Sequence, residues 1–178
     1  MVASSAGSVV SGTLGVKGTV FGEGSSTLSW EDPLAHGVVT RWDAGDFSWQ
    51  AHALLDDDPT PGTGSATPHW LDQNAASWTV ASGWLGGPIR FPTDPPQLAT
   101  PTGSGGDGYV GLLDPDLSTQ CAWWMPGPDV EDVRAAIDDQ GRIAVVGSFY
   151  EITLEPGTPR ERKLTGPGDG FVAWFAPP

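Results

Sequence analysis

Positive charge is scarce in this chain. Eight Lys and Arg stand against 22 Asp and Glu in 178 residues, and lysine occurs only at Lys17 and Lys163. A formal net charge of −14 repels a phosphate backbone, and the clustered Lys/Arg that nucleic-acid binding requires is absent. The same field disfavours anionic membrane surfaces. A lone cysteine, Cys121, excludes an internal disulfide framework. The single asparagine, Asn74, precedes Ala75-Ala76, so there is no N-glycosylation acceptor. No apolar run reaches the length of a transmembrane span, so membrane insertion is not expected. Met1 to Gly12 holds neither a basic residue nor an apolar run of signal-peptide length, so any export signal is expected outside this chain. His36, His52 and His69 lack zinc-site spacing, and no Gly-x-Ser-x-Gly elbow is present.

Glycine (25), proline (17) and tryptophan (nine) are plentiful. With 38% hydrophobic residues the chain has apolar surface enough to offset ordering entropy. Gly, Pro and Asp punctuate short apolar runs along the whole length, which predicts many short strands joined by turns.

Internal repetition decides the fold class. His36-Gly37-Val38-Val39-Thr40-Arg41-Trp42-Asp43, Asp107-Gly108-Tyr109-Val110-Gly111-Leu112-Leu113-Asp114 and Asp169-Gly170-Phe171-Val172-Ala173-Trp174-Phe175-Ala176 align, with glycines spaced 108 − 37 = 71 and 170 − 108 = 62. A second anchor precedes each: Val9-Val10-Ser11-Gly12, Val80-Ala81-Ser82-Gly83 and Val145-Val146-Gly147, spaced 83 − 12 = 71 and 147 − 83 = 64. Each anchor reads as a strand. Tyr109, Gly111 and Leu113 face one way and Val110 and Leu112 the other; Phe171, Ala173 and Phe175 oppose Val172 and Trp174. Both faces are apolar, so these strands are expected to be covered on both sides. The small central residue (Thr40, Gly111, Ala173) is expected to permit close approach of neighbouring sheets. Turns and aromatic strands follow, at Asp43-Ala44-Gly45 with Phe47 to Ala51 and at Asp114-Pro115-Asp116 with Gln120 to Trp124. Each repeat thus has about four strands, the number in a propeller blade.

Ala136-Ile137-Asp138-Asp139-Gln140-Gly141-Arg142-Ile143-Ala144-Val145-Val146-Gly147-Ser148-Phe149 resembles the bacterial β-propeller repeat often called SBBP. That pattern runs apolar strand, Asp-x-x-Gly turn, apolar strand, Gly-Ser-Phe. Gly-Asp-Gly-Phe-Val-Ala at 168–173 and Gly-Asp-Gly-Tyr-Val-Gly at 106–111 are similar to its second half. The resemblance covers most of the chain and is sharpest in the third copy. In the second copy the Asp-to-Gly interval, from Asp72, stretches from 147 − 138 = 9 to 83 − 72 = 11. These are turn signatures and carry no active site.

The expected fold is all-β and propeller-like: three four-stranded antiparallel blades (about 1–58, 59–127 and 128–178) in one domain, a partial ring completed by another chain. A symmetric homodimer would give six blades. Residues 129–140 also satisfy helix rules, with an Asp cap, apolar residues at 130, 133 and 137, and Gly141 as a stop. The repeat favours strand from about Val133.

Gly103-Ser104-Gly105-Gly106-Asp107-Gly108 matches G-x-G-x-x-G but follows a Pro-rich loop and precedes a strand, so a hairpin loop is expected instead of a nucleotide site. Acidic clusters (Asp56-Asp57-Asp58, Asp114-Asp116, Asp138-Asp139) suit turns. Asp56, Asp57 and Asp58 are the candidates for a Ca²⁺ site, although EF-hand spacing is absent. Trp84, Trp123 and Trp124 are the candidates for ligand stacking, with Trp123 and Trp124 on opposite strand faces. The loops 56–68, 92–107 and 155–169 are long and unlike one another, as recognition loops on a rigid scaffold would be. Function is expected to be a non-catalytic binding or scaffold module that recognises protein or glycan. The resemblance implies an extracellular or cell-surface setting. The alternative is a carbohydrate-active enzyme, glycoside hydrolase or lyase, or a subunit of one, using paired carboxylates.

Overall fold

In the computed structural model, residues 2–3, 8–15, 20–23, 26–29, 36–46, 48–55, 64, 66–101, 106–127 and 130–176 are described. They form strands and turns with no helix among them. The first sheet contains β1 (Val2–Ala3), β2 (Ser8–Gly15), β5 (His36–Asp43) and β6 (Trp49–Leu54), hydrogen-bonded in that order. A separate hairpin, β3 (Val20–Glu23) with β4 (Ser26–Ser29), is inserted between β2 and β5. The second sheet repeats this plan: β7 (Ala66–Gln73), β8 (Thr79–Leu85), β11 (Asp107–Leu113) and β12 (Thr119–Met125). Its inserted hairpin is β9 (Ile89–Phe91) with β10 (Gln97–Ala99). In the third sheet, β13 (Val130–Ile137), β14 (Ile143–Leu154) and β15 (Arg162–Phe175), the insertion is continuous with the strands. Glu151–Leu154 pair with Arg162–Thr165 beyond a register shift after Phe149. All pairings are antiparallel.

The sheets stack face to face, with β7 against β2 and β5, and β13 against β7, β8 and β11. The middle sheet is therefore covered twice, and every residue of β11 is buried. Tyr109 and Leu113 join one apolar cluster with Val39, Leu55, Ala81 and Phe91; Val110 and Leu112 join another with Val133, Ile137, Val145 and Phe171. The alternation read from Asp107 to Leu113 is the division observed. Apolar burial stabilises by about 25 cal/mol per Å², and the middle sheet contributes it on both faces. On the third sheet Phe171 and Phe175 are buried, whereas Val172 and Trp174 are 66% and 71% exposed. The expectation that both faces of this strand are covered is not met among the described residues, where no sheet stacks on that side.

The segment 130–137 is strand. Burial alternates with period two, Val133, Ala135 and Ile137 inside and Arg134 and Ala136 outside, which a helix would not give. Packing on the second sheet overrides local helix signals.

One turn chemistry recurs. Asn74, Asp114 and Asp138 each close a hairpin by donating their backbone N–H to the carbonyl four residues on (Trp78, Ser118, Arg142). Each side-chain oxygen accepts the N–H groups of residues two and four on. The fourth residue of each turn is left-handed: Ser77 at φ 65°, Leu117 at 63°, Gly141 at 78°. This is the three-residue hairpin loop with a local Asx turn. Asp43 makes a one-residue-longer version, donating to Ser48 and accepting from Gly45. The counterpart of Asp138 is therefore Asn74 and not Asp72. The interval then becomes 83 − 74 = 9, equal to that of the third copy.

Close approach also differs from expectation. A Cβ on Gly111 would meet nothing nearer than 3.9 Å, so that position has room for one. Two anchor glycines are tight: a Cβ on Gly37 would strike the Ala66 carbonyl, and one on Gly83 the Thr67 carbonyl. Gly83 and Gly147 each lie opposite a register shift in the inner strand, at Pro68/Trp70 and Glu131/Arg134. At Gly83 the bulge brings the Thr67 carbonyl into the space a side chain would need; at Gly147 that space is taken by the Phe171 ring.

Candidate functional site: an aromatic cleft beside the third sheet

A cleft of about 760 Å³ runs along the outer flank between β12 and the end of β15, a volume typical of ligand sites. Cys121 to Met125 form its floor, Trp174 to Ala176 one wall, and the two inserted hairpins close it with Gln97–Ala99 and with Glu155, Pro156, Thr158 and Arg160. Parts of two of the variable loops, 92–107 and 155–169, thus meet at one place. Backbone bonding fixes the third-sheet hairpin there, since Thr153 N–H donates to the Pro126 carbonyl at 2.8 Å.

Trp123 and Trp124 come together here, with their rings anchored on opposite faces of β12 as expected. Trp124 packs against the cluster between the first two sheets and donates its indole N–H to Asp107 Oδ2 at 2.9 Å. Asp107, 1% exposed, also accepts the Gly127 N–H at 3.1 Å. One buried carboxylate therefore holds both the ring and the chain leaving β12. Trp123 packs against the other cluster, its ring 4.8 Å from that of Phe175. Trp174, which strand periodicity alone placed on a face to be covered, is the most exposed large apolar side chain described and lines the cleft.

Trp84 lies elsewhere. It projects from β8, 39% exposed, with its indole packed so close to Gly106 that a Cβ there would collide with it. Asp56, Asp57 and Asp58 lie outside the described residues. Among the described residues no group of three or more His, Cys, Asp or Glu is placed to hold a metal ion. Asp114 and Asp138 serve as turn caps. The Asp138 carboxyl is held below its ordinary value chiefly by the Arg142 backbone N–H, with the Arg142 guanidinium, 2.6 Å away, adding to the effect.

The polar groups described along the cleft are few. Among the described lining residues Glu155 is the carboxylate, and it pairs with Arg160 at 2.8 Å. Burial pushes the Cys121 thiol up to about 11, so it is a protonated, weakly nucleophilic group at neutral pH. Such a lining can stack, exclude water and donate or accept a few hydrogen bonds. Hydrolysis of a glycoside uses two carboxylates; among the described lining residues Glu155 is one carboxylate. Scanning protein-family models finds no match, and curated proteins supply no relative.

Proposed function

We propose that this chain is a non-catalytic binding or scaffold module that takes its ligand in the cleft between β12 and β15. The observation that carries this reading is the convergence of Trp123, Trp124 and Trp174 on one open groove. Aromatic side chains supply large, rigid contact area at small entropic cost. The three sheets are read as three blades of a propeller of the bacterial repeat type that the third copy resembles. Support comes from the shared strand order, the repeated Asx turns and the face-to-face stacking. Three blades are fewer than a closed ring needs. The exposed Val146, Val172 and Trp174 are where a second copy or another chain would stack to complete it. An extracellular or cell-surface setting, in which glycans and proteins are the available ligands, belongs to the same proposal.

Intrinsic tryptophan fluorescence tests the site. A panel of extended peptides and neutral oligosaccharides is titrated against the full chain and against Trp174→Ala. The expected result is a saturable change that Trp174→Ala weakens at least tenfold. A parallel screen of glycoside substrates is expected to show no turnover. Turnover abolished by Glu155→Gln would replace the binding reading with the hydrolase one.

A further inference from the structure

The third sheet has an edge that the other two do not leave open. In the first sheet β5 is paired on both sides, by β2 and β6; in the second β11 is paired by β8 and β12. In the third, β15 is paired by β14 alone among the described residues. Which of its backbone groups face the open side follows from the register. Asp138 N–H donates to the Arg142 carbonyl, so the next bonded pair up the β13–β14 ladder is Ala136 with Ala144. Ala135 and Ile137 accordingly turn their N–H groups away from β14, and each is found donating to a side chain of the second sheet. Residues 143, 145 and 147 of β14 are then the ones bonded to β15, through 175, 173 and 171. That leaves Val172 and Trp174 with N–H and C=O directed out over the open edge.

Repeat spacing gives the same two positions. Val172 and Trp174 correspond to Val110 and Leu112 (172 − 110 = 62; 174 − 112 = 62), which pair with Trp123 and Cys121 of β12. The cleft lies along this edge, and Cys121 to Met125, the fourth strand of the neighbouring sheet, form its floor. It is the slot that a fourth strand of the third sheet would fill, continuous with the stacked interface beneath it.

Resting on the cleft reading above, we propose that the ligand is an extended polypeptide strand from another molecule, which adds to β15 at Val172 and Trp174. Its chemistry is that of the strands filling the equivalent slots. Both β6 and β12 carry a glutamine near their start, Gln50 and Gln120, that donates to the turn Asp43 or Asp114. Small and aromatic side chains follow in both, Ala51-His52-Ala53 and Ala122-Trp123-Trp124. Main-chain bonds to the edge give affinity, and the aromatic floor selects the alternate side chains. The field of a strongly acidic chain favours a segment without net negative charge.

The probe is a fluorescent synthetic peptide with the sequence of residues 117–127, measured by anisotropy against the full chain. We expect saturation in the micromolar range, at least tenfold weakening with a scrambled peptide, and slowed hydrogen exchange at the Val172 and Trp174 amides. Val172→Pro deletes one outward N–H without touching the β14 ladder. It should weaken the peptide at least tenfold, and more than Val172→Ala, which keeps the N–H, while circular dichroism and melting stay near those of the parent. Equal binding by the proline variant, or protection of no amide in 172–174, overturns the strand inference. Oligosaccharide binding sensitive to Trp174→Ala, without peptide binding, overturns it and keeps the cleft. Binding of neither overturns both.

Discussion

Ser82→Ala should loosen the third sheet from the second. Ser82 is fully buried, and its hydroxyl accepts the Ala135 N–H at 3.0 Å; Ala135 is itself 2% exposed. Alanine fits the same space, so no cavity is added, and the whole effect comes from an amide left buried without an acceptor. Such a group costs about 1–3 kcal/mol. With a urea dependence of about 2 kcal/mol per molar for a domain of this size, the midpoint should fall by roughly 1 M. The repeat supplies the control. Val146 occupies the corresponding position of the third sheet (146 − 82 = 64) and is 43% exposed, so at concentrations where the chain is unpartnered Val146→Thr, which keeps the β-branch, should stay within about 0.5 kcal/mol of the parent. Urea unfolding followed by tryptophan fluorescence and circular dichroism gives the midpoints, and hydrogen exchange gives the site. Faster exchange of the Ala135 amide is expected in Ser82→Ala. A midpoint unchanged within error would refute the reasoning, because the inter-sheet hydrogen bond would then contribute nothing.

Three further outcomes are expected. Gly83→Ala forces a Cβ onto the Thr67 carbonyl and to 2.9 Å from the His69 nitrogen; it should cost about 1–3 kcal/mol in thermal unfolding, whereas Gly111→Ala, with nothing nearer than 3.9 Å, should be tolerated. Cys121 titrates at about 11 folded against an ordinary 9.0. The unfolded chain loses that proton first, so stability should fall as pH rises from about 9 towards 11, and Cys121→Ser should flatten that limb of a pH–stability curve; native-state alkylation at pH 8 should be slow. Asp138→Asn should keep the turn, as Asn74 does in the second sheet, and Asp138→Ala should not. Because the carboxyl is held below its ordinary value, its contribution is present above the normal carboxylate range and lost on acidification, and the Asn variant should lack that acid limb in the same measurement.

The strand faces were legible in the sequence because period two is a local signal. Tyr109 and Leu113 on one side and Val110 and Leu112 on the other needed only their spacing. The 130–137 segment was harder, since its acids and apolar spacing satisfy a helix too and only the repeat tipped the balance. Asp72 resembles Asp138 in residue type, whereas the turn is made by Asn74. The turn needs a side-chain acceptor and a left-handed fourth residue, and Ser77 does not announce the latter as Gly141 does. Trp123 and Trp124 could be named, but their cleft could not. Its walls come from 97–99, 121–125, 155–160 and 174–176, which meet only once the sheets have stacked. Trp174 belonged to a strand whose pattern reads as covered on both faces, and sequence alone does not say that one face and one edge are left over within the chain.

The meander also sorts the connections by end. The turns at Asp43, Asn74, Asp114 and Asp138 join consecutive strands at one rim. Asn74 donates to the Asp138 carbonyl there, and Arg41 to that of Pro115. The inserted hairpins all leave from the other rim. Among the described residues both ends are acidic: Asp43, Asp46, Asp114, Asp116, Asp138 and Asp139 crowd the turn rim, where Arg142 pairs with Asp138, and Arg160 and Lys163 of the hairpin end pair with Glu155 and Glu151. Adsorbed on an amine-coated bead or sensor chip, the molecule should therefore settle by either rim, which leaves the flank between the rims free to meet what flows past.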